Sequence, residues 1–156
     1  MVKYLGKKKI AIFISGRGSN LKSLIKYFKK KNSSIEITLV ISNNPKAKGL
    51  EFAKKSEIKN FGLKYISKSS FENKSLKLLK KNDVDLLCLA GFMKILSRNF
   101  IKSFSKPILN IHPSILPKYK GVNTHERAIK NNDKITGATV HRVNEKLDSG
   151  KIILQK

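Results

Sequence analysis

Acidic residues are scarce in this chain: ten Asp and Glu stand against 34 Lys and Arg, so its 156 residues carry a formal charge of +24. Tryptophan is absent and cysteine occurs once. A single cysteine excludes an internal disulfide framework and any Cys-rich zinc site. Cys88 lies within the apolar run Leu86-Leu87-Cys88-Leu89-Ala90, where it reads as a small buried hydrophobe, and its solitary use suits a reducing cytoplasm. No run reaches the roughly 18 apolar residues of a membrane span, so no membrane partner is expected. The stretch 10–14, preceded by Lys3 and lysines 7–9, is too short for a signal peptide and runs at once into a glycine loop.

The excess of positive charge attracts anions and raises the question of nucleic acid. Nucleic-acid binders cluster their charge and favour arginine for bidentate phosphate and base contacts. Here the arginines are Arg17, Arg98, Arg127 and Arg142, and lysines are scattered through every segment, a pattern that resembles the residue bias of an AT-rich genome. Nucleic acid is therefore not the expected partner, whereas small anionic substrates are.

What the chain does have is alternation. Ile10-Ala11-Ile12-Phe13-Ile14 is a continuous apolar run, as expected of a strand buried on both faces of a parallel sheet. After it come Gly16, Arg17, Gly18, Ser19 and Asn20, then Leu21, Leu24, Ile25 and Phe28 at i, i+3, i+4, i+7, one stripe of an amphipathic helix with Asn20 as its expected N-cap. The pattern repeats, with strands expected at 35–42, 62–67, 84–90 and 108–111 and helices at 46–56, 71–81 and 97–104. A last pair of strands, 135–143 and 151–154, flanks Asp148-Ser149-Gly150 as a hairpin-like excursion. Strands separated by single helices predict a single α/β domain over 1–156, Rossmann-like and three-layered, with a mostly parallel central sheet.

Open α/β sheets bind ligands at the carboxyl ends of their strands, where a glycine loop lets backbone amides approach a phosphate. Residues 16–20 meet that description, but without the third glycine of the dinucleotide fingerprint and without the Lys-Ser/Thr of a Walker A loop, so an anion is predicted and its identity is not. The segment Leu109-Asn110-Ile111-His112-Pro113 carries more chemistry. Strand alternation puts Asn110 and His112 on one face, and Pro113 ends the ladder, so an amide and an imidazole project together at a strand's carboxyl end. Such a pair can donate to a developing oxyanion and move a proton. Among the few carboxylates, Asp83 and Asp85 sit at a strand entrance, whereas Asp148 is placed to reach across. The intervals between His112, His125 and His141 do not match metal-ligand spacing, so no metal is expected. His141 reads as a structural strand residue. His125, at a helix start after Thr124, is a candidate for lining the substrate site.

Five segments taken together, I-S-G-R-G-S-N-L at 14–21, L-A-G-F-M-K-I-L-S at 89–97, N-I-H-P-S-I-L-P-K-Y-K-G at 110–121, T-H at 124–125 and G-A-T-V-H-R-V-N-E-K-L-D-S-G at 137–150, resemble the glycinamide ribonucleotide formyltransferase family in order and spacing. That resemblance implies transfer of a formyl group from 10-formyltetrahydrofolate, as co-substrate, to the amine of glycinamide ribonucleotide, a step of purine synthesis in which the amine attacks directly through a tetrahedral intermediate. It implies Asn110, His112 and Asp148 as catalytic residues, and Gly16, Arg17, Gly18, Ser19 and Asn20 as the phosphate loop. It implies Met93, Lys94, Ile95, Leu96, Val143, Asn144, Glu145 and Leu147 as the folate pocket. Lys94 replaces a frequent arginine and Asn123 a frequent histidine, and family members continue beyond the strand ending at Gln155. Where that segment is missing, either the apolar run 152–154 is expected to support a homodimer, or the phosphate grip is expected to rely more on the 16–20 loop and nearby lysines such as Lys22 or Lys74. Methionyl-tRNA and sugar-nucleotide formyltransferases are the nearest rival readings; a basic nucleic-acid-binding module that is no enzyme is the rival from another class.

Overall fold

The computed structural model describes residues 6–29 and 33–156; Lys3 of the basic N-terminal stretch lies outside them. Seven strands form one sheet: β1 (Lys8–Ile14), β2 (Ile35–Ser42), β3 (Lys59–Gly62), β4 (Leu86–Leu89), β5 (Ile108–His112), β6 (Thr139–Arg142) and β7 (Ile152–Gln155). The helices are α1 (Ser19–Phe28), α2 (Gly49–Lys55), α3 (Lys68–Lys81), α4 (Arg98–Phe104) and α5 (Thr124–Lys130). The strand order is β3-β2-β1-β4-β5-β6-β7. β1 to β5 are mutually parallel, and β6 and β7 are added antiparallel.

β1 shows why the sheet needs two covered faces. Ala11 and Phe13 enter one apolar cluster with Phe71, Leu87, Phe100 and Ile108, while Ile12 and Ile14 enter a second with Leu21, Ile25, Val40 and Ala53. The first cluster packs residues of α3 and α4 on the sheet and the second residues of α1 and α2, which makes the three-layer α/β fold expected from the continuous apolar run.

The local differences from expectation have physical causes. α1 begins at Ser19 with Gly18 at its N-cap, φ 76°, so Asn20 is not the cap. A Cβ on Gly18 would come 2.6 Å from the Gly49 Cα, and the Gly49 N–H donates to the Gly16 carbonyl at 3.0 Å, so the turn is set by two glycines in contact. α2 accordingly starts at Gly49, later than 46. β3 ends at Gly62 instead of occupying 62–67: its ladder with β2 stops at the Ser42–Gly62 pair, and Pro45 packs against Gly62. Leu63 and Tyr65 still pack on the core, since alternation marks which residues are buried and not where ladder bonds fall. α3 starts three residues earlier than 71 because the Ser67 hydroxyl accepts the Ser70 N–H as an N-cap. β6 is confined to 139–142, and Ile135 is exposed.

Candidate active site

In this order the chain reverses direction between β1 and β4, the crevice in which open α/β sheets place ligands. Three strand ends meet there. The Ser15 N–H donates to the Gly91 carbonyl (3.1 Å), and the Ser15 hydroxyl donates to Asn43 Oδ1 (2.6 Å) while accepting the Met93 N–H (2.8 Å). One side chain thus ties the segment after β4 to the ends of β1 and β2. Beside it, Gly16, Arg17, Ser19 and Asn20 are exposed, and α1 has no side-chain cap on its first N–H groups. Free amides at a helix N-terminus, next to a guanidinium, are groups that could hold an anion.

One strand further, Asn110 and His112 project from β5 on the same face, and both reach Asp148. Asn110 Nδ2 lies 3.4 Å from Asp148 Oδ1, and His112 Nδ1 lies 3.4 Å from Asp148 Oδ2. His112 is 4% exposed and Asp148 9%, so water screens their interaction poorly. The Gly121 N–H donates to Asp148 Oδ2 at 2.8 Å. His112 Nε2 lies 2.8 Å from the Tyr119 carbonyl. A carbonyl only accepts, so Nε2 carries a hydrogen and the other ring nitrogen faces Asp148.

His141 belongs to this centre, against the structural reading of its strand position. In the antiparallel register of β5 and β6 it stands opposite Asn110. Its Nε2 accepts from Asn110 Nδ2 at 3.1 Å, and its Nδ1 donates to the Arg142 carbonyl at 3.1 Å. This pair of bonds fixes both the tautomer of His141 and the orientation of the Asn110 amide. The sequence carried a faint signal for it, a strand histidine on an antiparallel partner of the Asn110 strand. It carried none for the Tyr119 carbonyl or the Gly121 amide.

The other expected site residues are distributed unevenly. Met93 is 69% exposed and Ile95 54%, while the Lys94 ammonium lies 4.7 Å from the Tyr65 ring centroid. Leu147 is exposed as well, next to Asp148. Leu96 points into the core, so only its backbone is available to a ligand. Val143 packs against that core and donates its N–H to the Ile108 carbonyl. Asn144 accepts the Lys146 N–H, and Glu145 pairs with Arg98 at 2.7 Å, which ties the loop after β6 to the start of α4. His125 and Lys74 are exposed on α5 and α3, and among the described residues no hydrogen bond or ion pair is seen from either to Asn110, His112 or Asp148. A cavity of about 580 Å³ between α3 and α4 opens at the opposite, amino ends of β4 and β5.

Residues 8–156 match the family model described as formyl transferase. The chain belongs to the formyl transferase family. The chain is 44% identical over 155 residues to the phosphoribosylglycinamide formyltransferase of Haemophilus influenzae, covering 95% of this chain and 71% of that protein. It is 42% identical over 153 residues to the human trifunctional purine biosynthetic protein adenosine-3, covering 96% of this chain but 15% of that much longer protein. Among solved structures, the phosphoribosylglycinamide formyltransferase of Anaplasma phagocytophilum superposes with a TM-score of 0.87 at 44% identity, over 94% of this chain and 69% of that one. The Rossmann-like formyltransferase fold expected from the sequence is the fold found. No helix among the described residues is long and apolar enough to cross a membrane.

Proposed function

We propose that this chain, acting as one formyltransferase unit in the cytoplasm, transfers the formyl group of 10-formyltetrahydrofolate to the amine of glycinamide ribonucleotide. The observation that carries the reading is the convergence of Asn110, His112 and Asp148 beside a glycine loop at the same sheet crevice. The residues present fit the co-substrate: exposed Met93, Ile95 and Leu147 offer apolar surface for a flat ring, and Lys94 offers a cation for its acidic end. The co-substrate supplies an activated formyl carbon. Gly16, Arg17, Gly18, Ser19 and Asn20 bind the ribonucleotide phosphate and so place its amine.

As the amine nitrogen bonds to the formyl carbon, the formyl oxygen becomes negative. Asn110 Nδ2 has two hydrogens; His141 takes one at 3.1 Å, and the long 3.4 Å contact to Asp148 is the one a substrate oxygen replaces. The proton leaving the amine passes to the Asp148 and His112 pair, and a proton is returned to the folate nitrogen as its bond to the formyl carbon breaks. Self-association along the exposed β7 belongs to the same proposal, as does the absence of a metal from the chemistry.

Incubating the chain with 10-formyltetrahydrofolate and glycinamide ribonucleotide is expected to yield formylated product and tetrahydrofolate in equal amounts. Turnover only with a sugar nucleotide or with methionyl-tRNA would transfer the chain to one of the rival formyltransferases. Tight, salt-sensitive nucleic-acid binding without any formyl transfer would overturn the enzymatic reading.

A further inference from the structure

The loop between β5 and α5 touches both members of the buried pair with backbone groups two residues apart. The Tyr119 carbonyl holds His112 Nε2 and the Gly121 amide holds Asp148 Oδ2, each at 2.8 Å. Tyr119 does this in a left-handed backbone conformation, φ 56°, which a residue with a bulky side chain rarely adopts unless its surroundings impose it.

Within the centre the buried Ser114 hydroxyl donates to the Lys118 carbonyl at 2.6 Å and lies 3.5 Å from the Tyr119 carbonyl; the Tyr119 side chain is held outside it. The Tyr119 hydroxyl donates to Asp133 Oδ2 at 2.8 Å and accepts from Asn131 Nδ2 at 3.0 Å. The Lys118 ammonium bridges both oxygens of Asp133 at 3.1 Å. The Arg127 guanidinium covers the Tyr119 ring, 5.1 Å from its centroid, and donates to the Lys120 carbonyl at 2.7 Å. Asp133 is therefore the acceptor on which the Tyr119 phenol and the Lys118 ammonium converge, and it stands three residues past α5, its N–H donating back to the Ala128 carbonyl. An ionised acceptor makes such bonds short and directional, which suits a brace that must hold one carbonyl in place.

We propose that Asp133, acting through the Tyr119 hydroxyl, is a positioning residue for formyl transfer: it holds the Tyr119 carbonyl on His112 Nε2 and thereby fixes which ring nitrogen carries the hydrogen and how the imidazole faces Asp148. The proposal rests on the function proposed above. Without the brace, Tyr119 relaxes from its left-handed conformation, its carbonyl leaves Nε2, and His112 samples both tautomers. Substrate contacts made by the glycine loop and by residues 93–95 are untouched, so the loss falls on kcat and not on KM.

The test uses the full chain and three variants, Tyr119→Phe, Asp133→Ala and Asp133→Asn. It combines steady-state kinetics with glycinamide ribonucleotide and 10-formyltetrahydrofolate, circular dichroism for folding, and 15N side-chain NMR of His112. The expected result for Tyr119→Phe and Asp133→Ala is a kcat about tenfold lower, with both KM values within twofold. The Nε2–H signature of His112 is replaced by averaged ring-nitrogen shifts. Asp133→Asn still accepts from the phenol through its amide oxygen and recovers most of kcat and of the signature. Folded Tyr119→Phe and Asp133→Ala proteins with unchanged kcat or with the Nε2–H signature intact overturn the brace. Should Asp133→Ala not fold, Tyr119→Phe decides alone, because it removes one oxygen atom. Absence of formyl transfer in the unmodified chain counts against the proposed function, and the His112 signature in the variants then still decides the brace.

Discussion

The part of the molecule from β1 to β4 and the part from β5 to β7 are built on different physics. From β1 to β4 the buried residues are almost all apolar, with Phe13 touching Phe71 and Phe92 edge-on at centroid distances of 5.7 and 5.3 Å. From β5 to β7, His112, Ser114, Thr124, Thr139, His141 and Asp148 are all buried. The first side is held by removal of apolar surface from water, which is strong and non-directional. The second is held by hydrogen bonds that contribute little net stability but penalise every wrong orientation. Glu72 marks the boundary: it is buried among the apolar residues, yet its two oxygens are taken by the Ser97 N–H (2.7 Å) and hydroxyl (2.6 Å), a polar knot where α3 meets α4. One side makes the fold; the other spends its directionality on a site.

Mutations can break that contrast. Phe13→Ala should cost about 3–5 kcal/mol of stability, because a fully buried ring leaves a cavity among aromatic neighbours. Urea unfolding reads this directly, and a loss under about 1 kcal/mol would mean that the apolar side is not the keystone. On the other side, His112→Ala and Asp148→Asn should each lower turnover by a factor on the order of 10² or more, because they remove proton transfer or charge stabilisation rather than packing. If turnover survives in both folded variants, the polar side is architecture alone.

A smaller effect concerns pH. The hydrogen bond from the Tyr119 phenol, followed by that from Lys118, holds the Asp133 carboxyl below its usual range. A depressed carboxyl contributes stability that is complete above its unfolded value, about 3.9, and is lost as pH falls through the folded value. The stability gap between the unmodified chain and Asp133→Asn should therefore be constant at neutral pH and shrink below about pH 4. A gap that widens on acidification reverses the sign and removes the carboxylate from the brace. The smallest effect is expected at the sheet edge, where Ile152, Ile153 and Leu154 are 43%, 55% and 62% exposed. An open apolar edge strand invites a second copy, so sedimentation over a concentration series should show association that Ile153→Lys abolishes; identical profiles for the two proteins rule out the β7 contact.

How much of this was legible varied with the range of the interaction. Periodicity located β1, α1 and β5 closely, because a continuous apolar run and a 3.6-residue stripe are properties of neighbours in the chain. It misjudged the cap of α1, since Gly18 is selected by contact with Gly49, thirty-one positions away in sequence and invisible to local pattern. Asn110 and His112 could be paired from alternation alone. The strand position of His141 alone gives a structural residue, because its hydrogen bond to Asn110 depends on the antiparallel register of β5 and β6.

By itself the sequence determined the α/β alternation, the glycine loop after the first strand, the shared face of Asn110 and His112, and, through five motifs in register, the family. These rest on periods of two and 3.6 residues and on residue chemistry, which act over a few positions. Only the tertiary structure decided that Asp148 closes on both side chains, that His141 meets the Asn110 amide, and that the Tyr119 carbonyl meets His112 while its hydroxyl meets Asp133. Each of those depends on groups far apart in the chain meeting within hydrogen-bond distance, and a short-range directional force leaves no periodic trace in the residues that obey it.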